Sequence, residues 1–216
     1  EKDSAALYAR MVIDECGLAL QNDNNDDPIL SKEVIFGLNM FELEDKLSEY
    51  FAVGEKMHTK YYLNLSTLNL IFESAGSESE DMRARSEAFY RSNELQFAMS
   101  LKYVENKTGI IPLIRLPEMY YIAAEALLDN DYDKAVDYYN TMVQSRGLEP
   151  LASDMKLTQD LINTERYKEY FGEGQTFFNM KRQNLNIVSY DNKVTYTPAD
   201  GIYNIPIPDI EIDNRK

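Results

Sequence analysis

Three charged residues, Glu165, Arg166 and Glu169, lie close together in a stretch that has helical periodicity. Residues three or four positions apart occupy neighbouring sites on a helix surface, so these side chains can interact. Such an arrangement could in principle supply a general acid and a general base, or it could form fixed ion pairs. Since the sequence offers no accompanying nucleophile or set of metal ligands, we interpret the three residues as a structural network.

Other residues with catalytic potential are sparse. His58 is the only histidine and Cys16 the only cysteine, so zinc ligand sets and Cys-His pairs are excluded, and a Ser-His-Asp triad would depend on His58. Asp129, Asp131 and Asp133 alternate as in a calcium loop, but the later glycine and the glutamate at the twelfth position are missing. We predict turn and helix-capping roles for these aspartates, and a protein that is not an enzyme and uses no catalytic residue, cofactor or metal.

The charge balance restricts the partners. The 216 residues include 22 Lys and Arg against 37 Asp and Glu, which gives a formal net charge of -15. This charge repels phosphate backbones and anionic lipid, so we expect no nucleic-acid partner. With 44% hydrophobic residues the composition is that of an ordinary globular protein. No apolar run approaches the roughly 20 residues that span a bilayer.

Residues 117 to 145 have the most regular pattern in the chain. Pro117 begins a predicted helix, a polar turn follows at residues 129 to 131, and a second helix ends before Gly147. The small residues and aromatics of this helical hairpin resemble those of a tetratricopeptide repeat. A solenoid needs at least three such repeats, and the sequence shows one clear copy. We therefore expect the hairpin to pack against other helices.

The remaining elements flank this hairpin. The sequence predicts a buried strand over residues 33 to 38 and one long helix over residues 158 to 182. Residues 56 to 110 have weaker patterns, which predict a helix near residues 66 to 74, a polar loop at residues 76 to 80 and an extended segment near residues 97 to 104. We interpret the whole as an irregular, insert-like middle region. The acidic stretch from residue 22 to residue 27 is typical of a loop, and a loose Ca²⁺ site in this stretch remains an alternative.

The helix over residues 158 to 182 also carries a specific motif. From residue 163 it reads NTERYKE, then EG at 173 and FFNMKR from 177, and this order resembles the C-terminal helix signature of the SusD/RagB family. Three further segments agree in order with that family, at residues 30 to 38, 116 to 127 and 203 to 212. Members are usually longer, so the chain resembles the later part of the family fold.

The resemblance implies a mainly α fold in which the tetratricopeptide-like hairpin packs with further helices, irregular loops and a few short strands. It implies a single SusD-like domain or fragment over residues 1 to 216. It also implies a surface-exposed outer-membrane lipoprotein of Bacteroidetes-type bacteria that captures a glycan or another nutrient oligomer for a SusC-like TonB-dependent transporter. The membrane would be contacted only through a lipid anchor, which this chain does not contain, and no cofactor is implied.

Tyrosines are the candidates for ligand binding. Recognition of a sugar without catalysis needs flat aromatic faces and a few polar groups, and the sequence has 16 tyrosines and no tryptophan. Tyr50, Tyr61, Tyr62 and Tyr90 lie in or beside the middle region, where the family often places ligand contacts, so we select them as candidate binding residues. The alternative is that the hairpin serves as a tetratricopeptide-type protein interaction module that binds no sugar.

Overall fold

The computed structural model describes residues 1–52, 60–73, 79–104, 107–189, 193–204, 206–208 and 210–211, and His58 lies outside these ranges. Helices, single 3-10 turns included, account for 46% of these described residues and strands for 14%, so the predicted mainly α fold class is confirmed. The helices are α1 Lys2–Glu15, α2 Leu43–Phe51, α3 Leu65–Phe72, α4 Leu116–Leu127, α5 Tyr132–Ser145, α6 Gln159–Glu169 and α7 Gln175–Gln183. The strands are β1 Val34–Asn39, β2 Leu63–Asn64, β3 Phe89–Ser92, β4 Phe97–Ser100, β5 Ile110–Arg115, β6 Ile187–Val188 and β7 Thr195–Tyr196.

Helices α4 and α5 form a helical hairpin where the sequence predicts one. Pro117 occupies the first turn of α4, where its missing N–H costs no helical hydrogen bond. The Asp131 carboxylate accepts a hydrogen bond from the Lys134 N–H at 3.4 Å and caps the start of α5. Ala124 and Ala135 are fully buried, which lets the helix backbones approach closely.

The main hydrophobic core surrounds this hairpin. Helices α1 and α6 both pack against α4, so one helix of the hairpin has helical neighbours outside it, which a single repeat needs in order to bury its apolar surface. The core consists of Tyr121, Ala124, Ala135, Tyr139, Met142, Val143, Leu157, Ile162 and Tyr170.

The prediction of one helix over residues 158 to 182 is wrong, because the segment forms two helices, α6 and α7. The Thr158 hydroxyl accepts a hydrogen bond from the Leu161 N–H at 3.2 Å and caps α6. After α6 ends, Gly172 and Gly174 have φ values of 77° and 74°. This left-handed backbone cannot continue a right-handed helix, and glycine adopts it without strain.

The described part of the middle region, residues 56 to 110, contains helix α3 and strand β4 close to the predicted helix and extended segment, and it also contains β2 and β3, which the sequence did not predict. Strands β2, β4 and β3 form a three-stranded antiparallel sheet in that order. Helix α3 contributes to a second apolar cluster together with Phe89 and Ala98 of this sheet. The strands are only 2 to 4 residues long, too short to produce a recognisable alternation of apolar and polar residues.

Strand β1 pairs antiparallel with β5 in a separate two-stranded sheet. The strand predicted near residues 33 to 38 is thus present, but the expectation that it is buried is wrong, because the side chains of Ile35, Phe36 and Leu38 are exposed. A run of branched and aromatic residues favours a strand whether or not another layer covers it.

The chain divides into two compact units, Glu1–Gly172 and Glu173–Lys216. The prediction of a single SusD-like domain or fragment over residues 1 to 216 stays a prediction. The second unit contains α7 and the two-stranded sheet of β6 and β7. Within this unit the Tyr203 hydroxyl donates a hydrogen bond to the Leu185 carbonyl at 2.6 Å. Among all the described residues, no helix is both long and apolar enough to cross a membrane.

Candidate functional site

Charged side chains from several segments meet inside the first unit. They are nearly inaccessible to water, yet each carboxylate lies within an ion pair. We define the buried charge network as the carboxylates Glu33, Asp81, Glu165 and Glu169 and the cations Arg83, Arg115, Arg146 and Lys168. The numbers of negative and positive groups are equal, and this balance offsets much of the cost of removing charges from water.

Arg146, directly after α5, is the centre of the network. Its Nη2 donates to Glu33 Oε2 at 2.8 Å and to Glu169 Oε1 at 3.0 Å, and its Nε donates to Glu169 Oε2 at 2.9 Å. Its Nη1 donates to the Gln21 carbonyl at 2.8 Å. Arg115, just before α4, donates to Glu169 Oε1 at 2.7 Å. The network therefore joins the segment before β1, the two ends of the hairpin and α6.

The two central carboxylates respond differently to this environment. Burial raises the pKa of Glu33, and the attraction of Arg146 offsets only part of this effect. Burial also opposes ionisation of Glu169, but Arg146 and Arg115 outweigh it and hold the pKa of Glu169 well below its ordinary value. Glu169 is therefore the fixed negative charge at the centre, and Glu33 takes up a proton first as the pH falls.

The three residues that the sequence analysis singled out each form ion pairs, chiefly with residues outside their own helix. Glu165 pairs with Arg83 at 2.6 Å. Arg166 pairs with Glu118 in the first turn of α4, and Glu169 accepts hydrogen bonds from both arginines that flank the hairpin. The contacts of Arg166 and Glu169 join α6 to the hairpin, and that of Glu165 joins α6 to the segment that contains Arg83. The contribution of these contacts to stability stays a prediction.

The centre of the buried charge network is closed to a ligand. The side chains of Arg146 and Glu169 are 0% and 1% exposed. A cleft of about 850 Å³ lies beside α6, and Glu165 and Lys168 form part of its lining. These two residues are already paired with each other at 2.8 Å. These two charged residues of the lining are thus held in an ion pair of the fold.

Aromatic side chains cluster at the end of α2. The Tyr61 ring centroid lies 6.1 Å from that of Tyr50 and 5.5 Å from that of Phe51, and the Phe51 and Tyr103 centroids are 5.3 Å apart. These spacings are typical of interacting rings. The Tyr61 N–H donates to the Tyr50 carbonyl at 2.8 Å, and this bond holds the chain beside the end of the helix.

More rings lie on the three-stranded sheet. Phe97 is 5% exposed, and its centroid lies 5.7 Å from Tyr62 and 6.1 Å from Tyr90. Tyr62 and Tyr90 are 50% and 43% exposed, so a buried ring supports two rings that meet solvent. We define the aromatic site as the rings of both groups, Tyr50, Phe51, Tyr61, Tyr62, Tyr90, Phe97 and Tyr103.

A cavity of about 300 Å³ opens within the aromatic site. The Tyr103 hydroxyl donates to the Gly172 carbonyl at 2.9 Å, which fixes one wall. The volume is at the lower end of the range for small-molecule sites. Among the described residues, no charged side chain lines this cavity, whose walls are Phe51, Tyr61, Tyr62, Leu63, Ser100, Tyr103, Phe171 and Gly172.

All four tyrosines selected from the sequence belong to the aromatic site. Tyr61 and Tyr62 line the cavity, Tyr50 contacts the ring of Tyr61, and Tyr90 contacts the same buried phenylalanine as Tyr62. Tyr61 is the most exposed of the four, at 65%. Their role in ligand binding stays a prediction.

Sequence reasoning missed several residues of both clusters. Phe51 and Tyr103 stand in the same aromatic-rich part of the chain as the selected tyrosines, and that enrichment was the signal that could have included them. Phe171 follows α6, and only the folded chain brings it to the cavity. Glu33 and Arg146 are 113 residues apart, and nothing in the local sequence of either indicates the other.

The residues considered for calcium are used in turns and ion pairs. Asp131 caps α5, and Asp129 pairs with Lys2 at 2.7 Å. In the acidic stretch before β1, the Asn24 amide donates to the Met82 carbonyl at 2.9 Å. The described part of the chain contains no group of three or more His, Cys, Asp or Glu side chains that could hold a metal ion.

Comparison with known proteins shows the family. The sequence profile of the SusD family matches residues 21–215, and the chain belongs to this family. A search of curated protein sequences found no match.

Three crystal structures of Bacteroides proteins have the same fold. A SusD-like carbohydrate binding protein from Bacteroides vulgatus ATCC 8482 is 20% identical, with a TM-score of 0.63 over 91% of this chain and 47% of its own. Another protein of that strain is 23% identical, with a TM-score of 0.72 over 98% and 53% of the two chains. A SusD superfamily protein from Bacteroides thetaiotaomicron VPI-5482 is 25% identical, with a TM-score of 0.64 over 98% and 55%. The present chain spans about half the length of these structures.

Proposed function

We propose that this chain binds a glycan at the aromatic site, without catalysis, as part of a nutrient-uptake protein on the bacterial surface. Exposed tyrosines around a cavity, in a chain of the SusD family, are the observation that carries the proposal. The name of one relative, a SusD-like carbohydrate binding protein, agrees with it. The whole protein would be held to the outer membrane by a lipid anchor and would deliver its ligand to a SusC-like TonB-dependent transporter.

The chemistry of the site favours a neutral glycan over a peptide or an acidic sugar. Pyranose rings have apolar C–H faces that pack against aromatic rings, and their hydroxyl groups need a few polar partners. The tyrosine hydroxyls and Ser100 supply such partners at the cavity. A carboxylate-bearing sugar would need a cation in the lining, and the described residues there include none.

Calorimetry with neutral and acidic oligosaccharides tests this proposal. A tyrosine face that covers about 60 Å² of sugar surface, at about 25 cal/mol/Å², contributes about 1.5 kcal/mol, or roughly a tenfold change in Kd. Tyr61→Ala and Tyr62→Ala should each weaken binding by about that factor. Tyr8→Ala is the matched control, because Tyr8 lies on α1 and is 64% exposed, against 65% for Tyr61.

Two outcomes would reject the glycan proposal. One is that no oligosaccharide of the panel binds the full-length gene product. The other is that a glycan binds and Tyr61→Ala and Tyr62→Ala change the Kd no more than Tyr8→Ala does, which would place the ligand elsewhere.

Delivery to a transporter needs a separate experiment. The full-length gene product should co-purify with a TonB-dependent receptor encoded beside it. If a glycan binds but the two proteins do not associate in detergent, the transporter part of the proposal fails while the binding part stands.

The alternative, a tetratricopeptide-type interaction module, is less well supported. Helix α4 of the hairpin packs against α1, α5 and α6, so much of its surface is occupied within the chain. The Tyr61 and Tyr62 variants distinguish the two functions, since neither residue belongs to the hairpin.

A further inference from the structure

The cleft beside α6 is lined mostly by carboxylates and apolar side chains. Its volume of about 850 Å³ is within the range for small-molecule sites. The apolar wall includes Phe72, Leu151 and Met155. The charged residues of the lining are five acids and one lysine, and we define the acidic cleft by them, Glu73, Glu80, Asp81, Glu149, Glu165 and Lys168.

Cations of the protein neutralise only some of these carboxylates. Arg83 pairs with Asp81 at 2.7 Å and with Glu165 at 2.6 Å. Glu80 and Glu149 are exposed and, within the described part of the chain, form no ion pair. The acidic cleft therefore keeps negative charge that attracts a positively charged ligand and repels an anion.

Tyr139 of α5 places a polar group without a protein partner at the same cleft. Its side chain is only 7% exposed and lines the cleft. Among the residues that the structure describes, its hydroxyl has no hydrogen-bond partner. The hydroxyls of Tyr121 and Tyr170 also lack one but are sealed from solvent, whereas that of Tyr139 is not sealed. Because buried polar groups nearly always have a partner, this open hydroxyl indicates a ligand.

The electrostatics at this hydroxyl favour a cation as that ligand. Burial raises the pKa of Tyr139, and the negative charge of Glu165 raises it further, although Arg83 opposes part of the effect. The phenol oxygen thus lies in a negative potential, where a positively charged donor is stabilised. Within the described residues, no group of three or more carboxylate, His or Cys side chains could hold a metal ion, so the acidic cleft is better suited to an organic cation.

We propose that the acidic cleft binds a ligand with a primary ammonium group on an apolar alkyl chain, as in a lysine side chain of a peptide or in a polyamine. The ammonium group donates to the Tyr139 hydroxyl, and the carboxylates of Glu80 and Glu149 attract it. The alkyl chain packs against Leu151 and Met155, as the stems of lysine side chains do on apolar surfaces. This site is separate from the aromatic site, since the two cavities share no lining residue.

Calorimetry on the full-length gene product at low ionic strength tests this inference. The probes are a short lysine peptide with blocked ends, the same peptide acetylated on the lysine amine, and spermidine. Acetylation keeps the alkyl chain and removes the charge, so it should weaken binding of the peptide at least roughly tenfold. Binding of the peptide alone identifies a lysine side chain as the ligand, and binding of spermidine alone identifies a polyamine.

Two matched pairs of variants locate the ligand. Tyr139→Phe removes only the hydroxyl and should weaken binding of the probe roughly tenfold. Tyr138→Phe is its control, because Tyr138 is adjacent on α5 and does not line the cleft. Glu149→Gln should weaken binding about twofold to fivefold, and Glu94→Gln, at an exposed glutamate outside the cleft, should not. Circular dichroism establishes that each variant is folded.

Three results would overturn the inference. The first is that neither the lysine peptide nor spermidine binds, or that the acetylated peptide binds as tightly as the charged one. The second is that Tyr139→Phe changes the Kd no more than Tyr138→Phe does. The third is equal weakening by Glu149→Gln and Glu94→Gln, because the probe would then respond to the overall charge of the chain. Each of these results would leave glycan binding at the aromatic site untouched.

Discussion

Replacement of Arg146 by methionine removes the central cation of the buried charge network and keeps most of the side-chain volume. The guanidinium donates to Glu33 and Glu169 at distances between 2.8 and 3.0 Å. Without it, Glu169 keeps Arg115 at 2.7 Å, whereas Glu33 keeps the same arginine at 3.5 Å and the Gln21 N–H. Because loss of one partner strands a buried charge, the free energy of unfolding should fall by about 3–5 kcal/mol.

Urea unfolding followed by circular dichroism measures this loss at neutral pH. In thermal unfolding, we expect the melting temperature to fall by on the order of 10 °C. Arg10→Met, which removes an exposed arginine of α1, is the control and should change the free energy of unfolding by less than about 0.5 kcal/mol. If Arg146→Met unfolds within about 1 kcal/mol of the wild type, the reasoning is refuted.

The pH dependence provides a second check on the same variant. The pKa of Glu33 is already raised by burial, so a stabilising contribution of its protonated form is complete below the unfolded-state pKa and is lost as the pH rises through the folded-state pKa. Without the attraction of Arg146, the pKa of Glu33 should rise further, and its protonated form should contribute more to stability. The destabilisation by Arg146→Met should therefore be smaller near pH 5 than near pH 8. Adding Glu33→Gln to the Arg146→Met variant should restore part of the lost free energy of unfolding at the higher pH.

Three further predictions concern other parts of the first unit. Arg166→Ala should lower the melting temperature, because it breaks the ion pair with the first turn of α4; an unchanged melting curve would show that this pair is not structural. Gly147→Ala should destabilise by more than about 2 kcal/mol, since a Cβ there would lie 2.5 Å from a backbone carbonyl oxygen, whereas Gly172→Ala, with a similar positive φ and open space, should cost about 1 kcal/mol. Equal losses in urea unfolding would contradict the steric argument. The pKa of Glu169 is held well below its ordinary value, so the stabilising effect of its ionised form is complete above the unfolded-state pKa and is lost as the pH falls through the folded-state pKa. The loss of unfolding free energy caused by Glu169→Gln should therefore become smaller as the pH is lowered. If wild type and variant differ by the same free energy of unfolding at every pH, Glu169 is not ionised in the folded protein.

Periodicity and capping predicted the elements whose signals are local. The hairpin has Pro117 at its start and Asp131 at its turn, and both residues act within a few positions of themselves. The break between α6 and α7 was missed although Gly172 and Gly174 were visible, because glycine permits a left-handed backbone without requiring it. In the middle region the extended segment near residues 97 to 104 was predicted, whereas β2 was missed because its partner β4 is distant in sequence, and β3 because a four-residue strand carries too short a pattern.

The same distinction applies to the candidate site. Enrichment in aromatics directed attention to Tyr61 and Tyr62, and both line the cavity. The sequence could not place Phe171 there, because that contact exists only once the end of α6 packs near the middle sheet. Likewise, the motif around Glu169 indicated a charge network, but its principal partner, Arg146, lies on another element.

The exposure of the aromatic site determines how much its side chains can be substituted without loss of stability. Tyr50, Tyr61, Tyr62 and Tyr90 are each at least 42% exposed, so replacing them removes little from the packed interior, and exposed substitutions usually shift the free energy of unfolding by less than about 0.5 kcal/mol. The scaffold beneath them depends on buried ion pairs and helix packing that these rings do not enter. Selection, or a protein engineer, can therefore vary this aromatic surface one side chain at a time while the fold stays intact.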